Sequence, residues 1–163
     1  MRYDNPGGAP GALPSAEGLR FALAISRFNA SVTDSLADGA RQALTSAGAH
    51  DGDIEDVWVP GAYELPQAAR VLAQTGRFDA VVCLGCVIRG ETPHFEYISS
   101  AVAHGIMQAS ADTGIPMAFG VLTTDTVKQA EERAGAGRDN KGWEAAAAAI
   151  EMAVLFRQLR SDV

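Results

Sequence analysis

Apolar residues fall into short unbroken runs, separated by longer stretches in which they recur every three or four positions. The runs are FALAIS (21–26), IEDVWVP (54–60), FDAVVCLGCVI (78–88) and IPMAFGVLT (115–123), and each predicts a strand. The first is followed by a helical pattern over 31–48, which opens on Ser31 as a cap with Asp34 three residues on and stops at Gly48. Helical spacing returns over 64–76, ending at Gly76, and from Pro93 to about 113. After Thr124 a short helix is expected over 126–135 and a long one over 140–160. Strands that are apolar throughout, rather than at alternate positions, are buried on both faces, as in a parallel sheet covered by helices. The β-α repeat, four times over, predicts an α/β fold: a three-layer α/β/α sandwich with a four-stranded parallel sheet of the doubly wound kind. Residues 1–18, rich in Gly and Pro, read as a flexible arm, and 19–163 as a single domain.

Composition narrows the function. A chain of 163 residues holds one domain with a substantial core. The net charge of −7, with no run of Lys or Arg, argues against a nucleic-acid footprint. The longest apolar stretch, AAAAAIEMAVLF, is interrupted by Glu151 and reads as a packed helix rather than a membrane span. The opening residues lack the apolar run of a secretory signal, so a soluble cytoplasmic protein is expected. Cys83 and Cys86 form a C-x-x-C, but zinc takes about four ligands and no second pair exists. Both cysteines lie inside a strand run, where they read as small buried residues, so no metal site is expected.

In doubly wound sheets ligands bind beyond the carboxyl ends of the strands. The segments there are SRFN (26–29), PGAYE (60–64), VIRGETPH (87–94) and the region from Phe119 onward. In the third, Thr92 suits an N-cap and Pro93 the first helical position. The helix start then offers free N–H groups and a positive dipole end to a phosphate, with Arg89 and the Thr92 hydroxyl close by. An ordinary capped helix explains the same residues. GCVIRGET departs from a Walker A motif because Glu91 stands where the phosphate-binding Lys belongs, and no G-x-G-x-x-G opens a helix. His94, in the first helical turn, can relay protons near neutral pH, or be merely structural. Glu64 can accept hydrogen bonds from a polyol or simply favour its helix start. Phe28, in a polar loop, suits stacking on a flat ring or packing on its own helix. Arg133 and Lys141 flank the Gly-rich turn of GAGRDNKG, where cations are ordinarily solvated.

Taken in order, SRFN, VPGAYELP, GCVIRGETPHFEYI, FGVLTTDT, EERAG and NKGWEAA resemble the lumazine synthase family, from Ser26 through the terminal helix. The resemblance implies a flavodoxin-like fold and a cofactor-free condensation. In it, 5-amino-6-(D-ribitylamino)uracil reacts with 3,4-dihydroxy-2-butanone 4-phosphate to give 6,7-dimethyl-8-ribityllumazine, phosphate and water, the penultimate step of riboflavin biosynthesis. By the same resemblance Phe28 stacks on the pyrimidine and Asn29 helps orient it. Ala62, Tyr63 and Glu64 hold the ribityl chain, and Cys86, Val87 and Ile88 line the pyrimidine edge. Glu91 and Thr92 cradle the phosphate with Arg133 as counter-charge, and His94 carries protons.

The family's site lies between subunits of a homopentamer, with Phe119, Arg133 and Lys141 reaching into the adjacent chain's site. Some members assemble twelve pentamers into an icosahedral shell. Departures are mild: Tyr63 stands where Phe is frequent, and Pro93 where Thr often occurs. The wording RDN in the turn and the long arm leave pentamer and shell both open. The alternative is a slow paralogue that binds flavin or lumazine, or forms a compartment, without turnover; retention of His94, Arg133 and Lys141 together speaks against it. A flavodoxin-like electron carrier would need tightly bound flavin and has no independent support.

Overall fold

Alternate residues of a strand point to opposite faces, and in the first run both sets are buried: Phe21, Leu23 and Ile25 pack on one side, Ala22 and Ala24 on the other. The computed structural model describes residues 12–162. Its elements are β1 (Phe21–Ser26), α1 (Ala30–Ser46), β2 (Ile54–Val59), α2 (Leu65–Gln74), β3 (Ala80–Ile88), α3 (His94–Thr113), β4 (Met117–Thr124), α4 (Val127–Arg133) and α5 (Lys141–Ser161). The strands form one sheet in the order β2-β1-β3-β4, and every pairing is parallel. Helices α1, α4 and α5 cover the face of Leu23, Val82 and Leu84, whereas α2 and α3 cover that of Val81, Cys83 and Val121. The expected α/β/α sandwich is therefore present. Between β1 and β3 the sheet's direction of growth reverses, which opens a crevice at the carboxyl ends of those strands.

Two local expectations fail. Strand β2 is not covered on both faces: it is an edge strand on which Glu55, Asp56 and Trp58 are exposed. Its carboxylates pair with Arg77 and Arg41, and charge on an outer strand discourages further strand addition. Helix α1 does not start on Ser31. It starts at Ala30, behind Asn29, whose carbonyl accepts the N–H groups of Val32 and Thr33. Gly48, at φ +103°, lies just beyond its end as expected.

The C-x-x-C behaves as buried packing. Three residues apart in a strand, Cys83 faces α2 and α3 while Cys86 faces α1 and α5, and both thiols are free. Burial pushes Cys83 up to about 12 and Cys86 up to about 11. Residues 1–11 of the expected arm lie outside the described residues. Its remainder is tied to the domain, since Ala16 is fully buried and donates its N–H to the Ala47 carbonyl at 2.8 Å. Among the described residues no helix is long and apolar enough to cross a membrane.

Candidate active site

The crevice is built first by the turn after β1. The N–H groups of Arg27 and Phe28 donate to the carbonyls of Val59 and Pro60, so this turn runs beside the one after β2. Asn29 then adopts φ +62°, the only non-glycine with positive φ among the described residues. Asparagine tolerates that left-handed conformation better than most side chains. Its Nδ2 donates to the Cys86 carbonyl at 2.8 Å, bridging β1 and β3 across the point where the sheet reverses. The result is that Phe28 stands outward, 70% exposed, at the mouth of the crevice.

A second wall comes from Pro60-Gly61-Ala62 and the single 3-10 turn Ala62–Glu64. Ala62 is buried against β3 because Gly85 carries no side chain: a Cβ there would lie 3.1 Å from Leu65 and 3.4 Å from Ala62. With Ala62 turned in, Tyr63 is turned out, 62% exposed. The Glu64 carboxylate folds back over Gly61, where an added Cβ would lie 3.2 Å from Oε2. Cys86, Val87 and Ile88 line the cleft between the walls, and Thr92, His94 and Phe95 complete it at the start of α3. The cleft measures about 410 Å³ and is mostly apolar; no Lys, Arg, Asp or Glu lines it.

At the start of α3 the geometry differs from the sequence expectation in two respects. The cap position belongs to Pro93 rather than Thr92; its carbonyl accepts the Glu96 N–H at 3.1 Å, and no side chain caps the helix. The amides of His94 and Phe95 are thus left for an anion to use. Arg89 is not a loose phosphate ligand. It bonds Asp125 at 2.7 Å and also Glu96, and lies 4.4 Å from the centroid of the Phe95 ring. Hydrogen bonds to Asp125 and then Glu96 raise its pKa, while the bond from Arg89 lowers that of Glu96. Arg89 therefore ties the first turn of α3 to the end of β4 and fixes the backbone that carries His94.

The remaining candidates gather elsewhere. Phe119, Arg133 and Lys141 line a second cleft, about 370 Å³, between β4 and the start of α5. Helix α5 lies on the opposite face of the sheet from α3. Arg133 donates to the Gln129 carbonyl at 3.1 Å, and Lys141 pairs with Glu144 at 2.9 Å. Phe28, Ala62, Tyr63, Cys86, Val87, Ile88, Thr92 and His94 line the first cleft. Asn29 and Glu64 shape its walls, and Glu91 is exposed on the loop leading to α3.

One chain thus carries a flat-ring pocket, a helix end and an imidazole without a cation, and separately two cations beside an exposed aromatic. Sequence reasoning missed Glu144, although its i, i+3 spacing from Lys141 was a signal. It also missed the capping box of Thr126 and Gln129, which secures the helix bearing Arg133 and follows the T-x-x-Q pattern.

A family model described as 6,7-dimethyl-8-ribityllumazine synthase matches residues 18–157. A protein of Syntrophus aciditrophicus (strain SB) named 6,7-dimethyl-8-ribityllumazine synthase is 58% identical over 144 residues, covering 88% of this chain and 94% of the relative.

Proposed function

The chain belongs to the 6,7-dimethyl-8-ribityllumazine synthase family, and from that premise we propose how its two clefts divide the work. It is a transferase that condenses 5-amino-6-(D-ribitylamino)uracil with 3,4-dihydroxy-2-butanone 4-phosphate in riboflavin biosynthesis. The pyrimidine stacks on Phe28, with its edge along Cys86, Val87 and Ile88, while Asn29 keeps that turn in place. The ribityl chain runs past Ala62 and Tyr63, and its hydroxyls donate to Glu64. The phosphate of the second substrate sits at the uncapped start of α3, between Glu91 and Thr92.

Three steps need protons moved. The pyrimidine's amine attacks the ketone and expels water as the Schiff base forms; phosphate is then eliminated, leaving an enol that tautomerises to a new carbonyl; the ribityl-bearing nitrogen attacks that carbonyl and expels a second water as the ring closes. His94, beside both substrates, carries those protons. The departing phosphate gains charge, and a helix end plus a guanidinium, oriented in advance, stabilise it better than bulk solvent would. Holding two substrates in contact supplies much of the rest, and the steps require no redox change.

A single observation carries the subunit arrangement: the cleft with His94 is lined by no cation, and Arg133 and Lys141 line another. A second copy, offering Phe119, Arg133 and Lys141 to this chain's first cleft, completes the site. A contact between unlike faces makes a ring where its rotation closes; by the family resemblance that ring is a homopentamer, which in some members builds a larger shell. We place the enzyme in the cytoplasm, without nucleic-acid or membrane partners. The direct test mixes purified protein with both substrates and follows lumazine fluorescence above the uncatalysed background. Product at an enzymatic rate is expected. Tight binding of lumazine or riboflavin with no acceleration would favour a silent carrier instead.

A further inference from the structure

Residues 134–140 join α4 to α5, and beneath that turn lies Asn140, only 3% exposed. Its Oδ1 accepts the N–H groups of Gly142 at 2.8 Å and Trp143 at 3.0 Å, capping α5. Its Nδ2 faces three carbonyls: Gly135 at 2.9 Å, Ala134 at 3.1 Å and Ser35, on α1, at 3.0 Å. A side-chain amide offers two N–H groups and one oxygen, and here both ends are fully engaged. Capping alone does not account for this, because Ser, Thr or Asp caps a helix with an acceptor only. The donor half does something else: it holds the beginning of the turn against its end.

The surroundings are shaped to this amide. A Cβ on Gly39 would fall 2.2 Å from Asn140 Oδ1, and one on Gly142 would fall 1.9 Å from the Leu36 carbonyl oxygen. Both glycines lie where α1 and α5 meet around the amide, with no room for a Cβ. Ala134, whose carbonyl is held, follows Arg133 directly, and Lys141 follows Asn140. Without the amide, exposed Arg133 at the end of α4 and half-buried Lys141 at the start of α5 would be joined only by a Gly-rich turn with wide backbone freedom.

We propose that Asn140 is a positioning residue for the condensation. It fixes the backbone beside Arg133 and Lys141 together, so that both enter the neighbouring site as a preformed pair rather than as mobile side chains on a loose turn. This inference rests on the reading of Arg133 as the phosphate's counter-charge.

The test is a double-mutant cycle on the assembled protein, using Asn140→Ser, Arg133→Ala and their combination. Serine keeps an acceptor for the cap and removes the two amide N–H groups that hold the Ser35, Ala134 and Gly135 carbonyls. Asn140→Ser is expected to raise KM for the butanone phosphate on the order of tenfold. The maximal rate should change far less, and particle mass should match wild type. In the Arg133→Ala background the same substitution should add less than about twofold, because its effect passes through an arginine already removed. An unchanged KM, or effects that multiply, would overturn the proposal. Should Asn140→Ser not accumulate in folded form, Asn140→Asp, with the acceptor and outline retained, enters the same cycle. Arg133→Ala with normal KM would instead sink the phosphate assignment itself.

Discussion

Gly142→Ala sets helix propensity and tertiary packing against each other in sign. Alanine in the first turn of α5 should gain up to about 1 kcal/mol in propensity. The new Cβ, however, would sit 1.9 Å from the Leu36 carbonyl oxygen, a backbone atom of α1 that cannot swing aside. An ordinary C···O contact is about 3.3 Å, so α5 must retreat by roughly 1.4 Å. That retreat pulls on the Asn140 cap and loosens the buried contacts of Leu36 and Ala146. Overpacking costs about 1–3 kcal/mol, and a weakened cap about 1 more. After subtracting the propensity gain, a net loss of about 1–3 kcal/mol remains, worth roughly 2–12 °C in Tm for a chain of this size. Thermal unfolding followed by circular dichroism, at equal protomer concentration, measures it. Gly52→Ala is the comparator, since a Cβ there meets nothing within 4 Å; it should stay within about 0.5 kcal/mol of wild type. A Gly142→Ala protein as stable as the parent would refute the close approach, and with it the tight seat of Asn140.

Three other outcomes are expected. His94→Ala should lower kcat on the order of a hundredfold with assembly intact, read from steady-state rates beside light-scattering mass; normal kcat would remove His94 from proton transfer. Arg133→Ala should weaken use of the butanone phosphate by about tenfold to a hundredfold, mainly through KM, as befits a lost charged hydrogen bond. Stability should fall as pH rises above the ordinary thiol value of 9.0, because unfolded chains release the Cys83 proton that the fold retains up to about 12. The slope is about 1.4 kcal/mol per pH unit from that thiol alone. Urea midpoints at pH 8 and 10 should therefore drop more for wild type than for Cys83→Ala, and equal drops would contradict the burial.

The sheet was legible in the sequence because β1 and β3 are buried almost from end to end, so apolar runs mark them directly; β4, the other edge strand, is apolar in sequence but exposes Phe119 and Thr123. Strand β2 was found but misjudged: IEDVWV has an edge strand's exposed charges inside what reads as an apolar run. The start of α1 was misplaced because the side chain of Asn29 bonds the Cys86 carbonyl rather than capping its own helix, a contact 57 residues away that no local cap pattern encodes. Arg89 looked like a phosphate ligand by proximity in sequence. Its partner Asp125 lies 36 residues on and is brought near only by the pairing of β3 with β4. Asn140 read as turn wording, since its importance lies in Ser35 and Gly39 of a distant helix. The loops bearing the site were identifiable from the strand ends, but their division between two clefts became visible only in three dimensions.

The shared site is tested most directly by complementation. His94→Ala and Arg133→Ala chains, each nearly inactive at low butanone phosphate, are refolded together and assayed at that concentration. If each site takes His94 from one chain and Arg133 from its neighbour, random mixing restores about a quarter of wild-type activity, the product of two one-half chances around the ring. A mixture no more active than the average of its two parents would contradict the account.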